Sequence, residues 1–201
     1  MENLTTAEHF AKYGWVYVPN LVNKSECKMI ADYLHLMNDM GKMTPDDHCR
    51  LSNGMYGDSV LENFLELNRS TISKHVNLSL FPTYTYARLY TTRETLYIHK
   101  DRPSCEISAT ITLGHDKDSE IWPFFVSKID KFKDVHEQIV EVGGAFLYRG
   151  MDLWHWREEY KGKWQAQIFL HYVDANGPNV DQAYDCREKL GTTKIIRKIR
   201  R

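Results

Sequence analysis

The sequence predicts an α+β protein, a double-stranded β-helix (jelly-roll) barrel with N-terminal helices packed on one of its sheets. Three observations predict it. Apolar residues recur at helical spacing in separate segments of the first 78 residues; the period drops to two from Thr83 onward; and the second half divides into several short strands separated by turn residues. A chain of 201 residues suits one domain over 1–201, with 1–78 as mainly helical support, 79–175 as the jelly-roll core and 176–201 as a C-terminal extension.

Leu4 to Gly14 reads as a short helix with Thr5 or Thr6 as N-cap and Gly14 as terminator. Trp15 to Val18 alternates as a strand closed by Pro19. Asn23 to Glu26 opens a second helix, whose apolar positions Met29, Ile30, Tyr33, Leu34 and Met37 keep helical spacing. Residues 38–58 are rich in Gly, Asn, Asp and Met and lack periodicity, so they read as a long loop, either functional or a connector. Within it Asp46, Asp47 and His48 read as solvated residues of a turn rather than a metal site. Ser59 to Asn77 carries Val60, Leu61, Phe64, Leu65, Leu67 and Ile72 and reads as a helix against the sheet. His9, His35 and Met37 are expected to pack or to face solvent.

From Thr83, Tyr84, Tyr86, Arg88 and Tyr90 share one strand face, and Thr85, Ala87 and Leu89 the other. Inside a barrel Arg88 needs a carboxylate, because an unpaired interior charge is costly. Arg102 to Ser104 is a turn. The next strand, Cys105 to Leu113, sets Ile107, Ala109, Ile111 and Leu113 against Glu106, Ser108, Thr110 and Thr112, with the polar set toward a wet cavity. Gly114 to Glu120 is a charged turn. Ile121 to Val126 is a strand broken by Pro123, which argues for a sheet edge. Val135 to Val142 leads through the tight turn Gly143-Gly144 into Ala145 to Arg149. Trp164 to Val173 closes the series, with Gln165, Gln167, Phe169 and His171 on one face.

The chemistry centres on Leu96 to Asp101. On a strand, His99 and Asp101 leave the same face, which supplies two-thirds of the 2-His-1-carboxylate set that holds non-haem Fe(II). The best second histidine is His155, in Gly150 to Arg157. His171 competes with it from a strand, while His115 and His136 sit in charged turns. The plainer reading of His99 and Asp101 is a solvated pair at a strand end. Trp154 and Trp156 would wrap the site in apolar surface, and Arg157 would reach either substrate or a local Glu.

Tyr86-Ala87-Arg88-Leu89-Tyr90, His99-Lys100-Asp101, Val142 to Tyr148, His155 and Gly162-Lys163-Trp164 together resemble the core of the Fe(II)/2-oxoglutarate-dependent dioxygenases, in their prolyl 4-hydroxylase-like branch. The resemblance covers roughly residues 80–175. It implies Fe(II) on His99, Asp101 and His155, 2-oxoglutarate as co-substrate with O2, and ascorbate as a stimulant. The implied reaction hydroxylates a C–H bond, in a peptidyl proline or another amino acid, with release of succinate and CO2. One departure stands out: the family's Arg or Lys about ten residues past the distal histidine, which holds the co-substrate's far carboxylate, is Gln165 here. Lys163 is one replacement, with Gln165 and Gln167 adding hydrogen bonds from its face; Arg88 is another, bidentate, unless it pairs with an internal Glu such as Glu106. The resemblance also brings Tyr90 within reach of the co-substrate, and lets the 38–58 loop close over the mouth. Two other classes remain: a cupin-like jelly roll that binds metal or ligand without oxygenase activity, and an interaction domain whose aromatic cleft takes a peptide.

A net charge of -1 argues against a whole-protein attraction to nucleic acid or anionic membrane. Four cysteines without a CxxC pair indicate reduced thiols rather than a zinc ribbon or a disulfide framework. No secretion signal and no run of eighteen apolar residues is present, so the expected compartment is the cytoplasm. The basic tail Lys194 to Arg201 is expected to be a solvated terminus, or else to touch an acidic partner or nucleic acid.

Overall fold

The computed structural model describes residues 4–129 and 133–192; the basic tail lies outside them. In chain order the elements are α1 (Thr6–Tyr13), β1 (Trp15–Val18), α2 (Lys24–Asp39), β2 (Asn53–Tyr56), α3 (Ser59–Val76), β3 (Leu80–Thr91), β4 (Leu96–His99), β5 (Ile107–His115), β6 (Phe124–Ile129), β7 (Lys133–Gln138), β8 (Ala145–Tyr148), β9 (Trp154–Arg157) and β10 (Trp164–Asp174). Short 3₁₀ segments span Pro103–Cys105 and Val180–Cys186.

Each helix starts on a side chain that accepts an otherwise orphaned backbone N–H: Thr5 for α1, in a reciprocal capping box with Glu8, Asn23 for α2 and Asp58 for α3. Gly14 ends α1 at a φ of 80°, a conformation open to glycine at little cost. The apolar stripes of the helices are narrower than the sequence suggested. Met29, Val60 and Leu67 face solvent, whereas Phe10, Leu34, Leu61, Leu65 and Ile72 are fully buried, each contributing roughly 1.5–3 kcal/mol.

Two antiparallel sheets follow, in the orders β1-β8-β5-β10-β3-β2 and β4-β9-β6-β7. The outward residues of the larger sheet, among them Ala87, Leu89, Ile107, Ala109, Ile111, Leu147 and Ile168, form one core with the helices. A second core is filled from both sheets: Tyr90, Phe146 and Tyr148 from the larger, Leu96, Phe124 and Val126 from the smaller. The α+β class and the strand alternation thus follow the hydrophobic periods. No described helix is long and apolar enough to cross a membrane.

Three local expectations need correcting. The strand after Pro123 is not an edge: β6 begins at Phe124, past the proline, so every ladder N–H survives and it pairs with both β7 and β9. Residues 38–58 are not all loop, because β2 adds a strand beside β3. His155 does not merely follow a strand; it lies within β9, whose four residues Trp-His-Trp-Arg show no apolar alternation to betray it. All four cysteines are free, Cys27, Cys49 and Cys105 buried and Cys186 exposed.

Candidate metal centre

Strand pairing brings the two histidines together. β4 runs antiparallel to β9 with His99 opposite His155, and the imidazole centroids lie 4.2 Å apart. Asp101 follows β4 directly, and its N–H donates to Gly150 O in the β8–β9 turn at 2.9 Å. That bond turns the carboxylate inward, with Oδ1 3.5 Å from His155 Nε2 and 3.7 Å from His99 Nε2. One donor atom from each of the three residues falls within 4.8 Å of the others.

The imidazole orientations are set locally. His99 Nδ1 lies 2.7 Å from Tyr97 O and His155 Nδ1 3.0 Å from Leu153 O. A carbonyl oxygen only accepts, so Nδ1 carries the hydrogen in both rings and Nε2 is the atom turned toward Asp101. Asp101 Oδ2 accepts a 3.3 Å bond from Ser108 Oγ. Burial opposes ionisation of Asp101, but the neighbouring His155 outweighs it and holds the carboxyl well below the usual range. Burial, with the nearby His155, lowers His99 to about 4, and burial lowers His171 to about 4. The result at neutral pH is a carboxylate beside uncharged His99, a donor set suited to a divalent cation.

A stability prediction follows for the metal-free protein. Between pH 6.5 and 4 the unfolded chain protonates these two histidines while the folded chain keeps them neutral, so stability falls as pH falls. From pH 7 to 5 the loss should be on the order of 2–4 kcal/mol for His99 and His171 together. Urea unfolding of EDTA-treated protein measures it, and an unchanged midpoint would show that the imidazoles are not desolvated as described.

Gly150 abuts the candidate site and was passed over in reading the sequence. A Cβ there would sit 2.3 Å from Asp101 Oδ2 and 2.5 Å from Cys105 O, so any side chain displaces the carboxylate. Gly150→Ala should weaken metal binding by about 10–100-fold, the range seen when groups that orient a ligand are removed; calorimetry with Mn(II) reads it. The available signal was a glycine two residues past the strand-like run 145–148, with nothing to say which side chain approached it.

The ligand atoms open onto a cavity of about 420 Å³ lined from both sheets, by Tyr84, Arg88, Tyr90, Leu96, Tyr148, Phe169 and His171 among others. Arg88 and Tyr90 therefore sit where a ligand would lie. Arg88 already holds a carboxylate, Asp46, through Nη1 at 3.2 Å and Nη2 at 2.7 Å, and Tyr86 donates to the same group. Asp46 is thus half-buried and engaged with Arg88 and Tyr86 rather than free in the turn. Glu106, the internal candidate for Arg88, instead accepts from the Asp174 N–H at 3.1 Å. Asp46 and His48 bring the 38–58 segment to the cavity wall, His48 with its ring 5.2 Å from His99.

Other expected residues are elsewhere. Lys163 is exposed, 3.4 Å from Asp118, and does not reach the cavity. Gln165 and Gln167 are fully buried and bonded to each other at 3.0 Å, with Gln165 also accepting from the Trp122 N–H and Gln167 donating to Thr110. His171 lines the cavity but bonds Ser108 at 2.9 Å; with Asp101 and Cys105 it forms a second grouping that shares the same carboxylate. His115 bonds Asp116 O, and His136 stacks on Trp15 at 3.8 Å.

No family model and no curated protein matches the sequence. Solved structures match over more than four-fifths of the chain. A Pseudomonas putida prolyl-4-hydroxylase is 14% identical, covers 84% of this chain and 97% of its own, and has a TM-score of 0.67. HygX from Streptomyces hygroscopicus, with nickel and 2-oxoglutarate bound, is 14% identical over 84% of this chain and 85% of its own, with a TM-score of 0.61. A Trichoplax adhaerens prolyl hydroxylase, in complex with a hypoxia inducible factor oxygen degradation domain peptide fragment, is 11% identical over 85% of this chain and 88% of its own, with a TM-score of 0.67. At such identities the likeness is one of backbone architecture, and by that measure the chain has the fold of the Fe(II)/2-oxoglutarate-dependent oxygenases, prolyl hydroxylases included.

Proposed function

We propose that this chain is an Fe(II)- and 2-oxoglutarate-dependent oxygenase that hydroxylates a C–H bond, with the metal on His99, Asp101 and His155. The observation that carries the reading is the convergence of two Nε2 atoms and one carboxylate oxygen within 4.8 Å, each imidazole fixed through Nδ1 by a carbonyl of its own strand. The surroundings fit such a cofactor pair: the cavity volume suits a small acid beside a metal, and buried polar atoms near it, including the Tyr90 hydroxyl, lack partners. Bound there, Fe(II) with 2-oxoglutarate supplies dioxygen activation and C–H hydroxylation, with succinate and CO2 as co-products.

The chain's own part is placement and exclusion. His99, Asp101 and His155 would hold the metal, and all three line the cavity in which a co-substrate would lie. Leu96, Phe124 and Tyr148 keep bulk water from the ligand atoms, Tyr148 and Phe124 lying 4.9 Å and 5.8 Å from the His155 ring. Tyr56, Tyr84 and Tyr86 line the cavity with aromatic faces and hydroxyl tips. That lining, and the peptide carried by the Trichoplax neighbour, support a peptidyl proline or another amino acid as substrate.

The test is succinate formation from 2-oxoglutarate by the purified protein with Fe(II) and ascorbate in air, first alone and then with proline-containing peptides. Turnover above a metal-free control is the expected result. A protein that binds the metal and yields no succinate under any of these conditions would be the cupin-like jelly roll instead.

A further inference from the structure

Beyond His155, β9 carries a polar feature that a metal does not account for. Arg157 ends β9, two residues beyond His155, so the two side chains leave the same face of the strand. It is fully buried. Nη1 donates to the carbonyls of Trp122 and Pro123, and the guanidinium carbon lies 5.0 Å from the Trp122 ring and 5.3 Å from the Phe124 ring. Nε and Nη2 have no hydrogen-bond partner. Among the described residues, Arg88 pairs with Asp46 and Arg187 with Glu62, which leaves Arg157 as the one buried cation without a carboxylate within 4.0 Å. Burial without a counter-ion pulls its pKa down to about 10. A second orphan stands close by: the hydroxyl of fully buried Tyr90, on the facing sheet, lacks a partner, and its ring meets the same Trp122 edge-on at 4.9 Å.

A buried guanidinium with two idle donors is costly unless a ligand completes it. We infer that Arg157 and Tyr90 form the seat for the remote carboxylate of 2-oxoglutarate, in place of the cation that the family pattern puts at Gln165. The inference rests on the oxygenase reading. Its geometry is that of the strand: two residues of β advance about 6.8 Å, comparable with the extended length of a five-carbon diacid reaching from a metal on His155 to the guanidinium. A planar guanidinium with Nε and Nη2 open presents the two parallel donors that a carboxylate accepts. The alternatives are occupied or out of reach. Arg88 is bidentate to Asp46, Lys163 is at the surface, and the Gln165 side chain is engaged with Gln167 and the Trp122 N–H.

Calorimetric titration of Mn(II)-loaded protein with 2-oxoglutarate and with 2-oxobutanoate, which has the same 2-oxoacid head and no remote carboxylate, tests the seat. Arg157→Gln should weaken 2-oxoglutarate binding by about 100-fold and the isosteric Tyr90→Phe by about tenfold, with Arg157→Lys between Arg157→Gln and wild type. Affinities for 2-oxobutanoate and for Mn(II) should stay within about twofold of wild type in all three. Should Arg157→Gln fail to fold, Tyr90→Phe and Arg157→Lys carry the test. Wild-type affinity for 2-oxoglutarate in both of these, or equal loss of both acids, overturns the seat. So does a loss that follows Arg88→Gln instead. A wild-type protein that binds metal but neither 2-oxoacid overturns the oxygenase reading itself, whereas one that binds both acids equally well overturns only the seat.

Discussion

Replacing Asp101 with Ala should reduce affinity for Fe(II) or Mn(II) by at least about 100-fold and bring succinate formation down to the metal-free background. Loss of groups that merely orient a ligand already costs 10–100-fold, and Asp101 is the only carboxylate in the His99–Asp101–His155 set. Metal affinity separates this role from a structural one. In the metal-free protein the Asp101 carboxylate is part-buried beside two imidazoles, with Oδ1 3.5 Å from His155 Nε2 and Oδ2 accepting a 3.3 Å bond from Ser108. Because the fold favours the ionised carboxylate, its removal should cost stability too, by roughly 1–3 kcal/mol at pH 7, and the metal affinity of the folded variant is the deciding readout. Intact metal affinity in a folded Asp101→Ala protein would remove the ground for the whole assignment. A large loss of stability with unchanged metal affinity would recast the residue as a structural one.

What the sequence disclosed and what it hid divide along a physical line. The closeness of His99 and Asp101 was legible from their spacing, but not its cause: β4 ends at His99, and the bond from the Asp101 N–H to Gly150 O, rather than a shared strand face, turns the carboxylate inward. The first helix cap, narrowed to Thr5 or Thr6, the start of the second helix at Asn23 to Glu26 and the alternation of β5 and β10 were legible because they are local. Asp46 was not: an acidic turn residue looks solvated until the fold carries it across to Arg88, 42 positions away. Arg157 shows the same limit from the other side. Its place near His155 was visible, but that it lacks a carboxylate is a fact about everything packed around it. Lys163 had the opposite fate, since its family-like context Gly162-Lys163-Trp164 sits on a turn that the fold keeps at the surface.

Arg187→Met should destabilise the protein by about 3–5 kcal/mol, the largest stability effect expected outside the hydrophobic cores. Arg187 Nη2 lies 2.5 Å from Glu62 Oε1, with both side chains 1% exposed, and also donates to Thr83 O at 2.9 Å. The other Glu62 oxygen accepts the Gly191 N–H, so this one carboxylate pins the C-terminal segment to α3 and β3. Without the arginine a charge stays buried with a single backbone partner. The segment also holds strain: Tyr184, Asp185 and Cys186 all have φ between 55° and 59°, at roughly 1 kcal/mol or more each. That strain is offset on the site side by Asp185, which takes bonds from Arg102 at 2.5 Å and 3.0 Å and from Ser104 at 2.8 Å, and on the far side by the Arg187–Glu62 pair. Urea denaturation gives the loss. In the double variant Glu62→Gln/Arg187→Met the cost should be well below the sum of the two single ones, because the second change removes the stranded charge that the first created. Additive losses would mean that the two side chains act apart. Since Arg187 and Glu62 touch none of His99, Asp101 and His155, Mn(II) affinity of the folded single variant should remain within about tenfold of wild type, so that stability and metal binding fail separately.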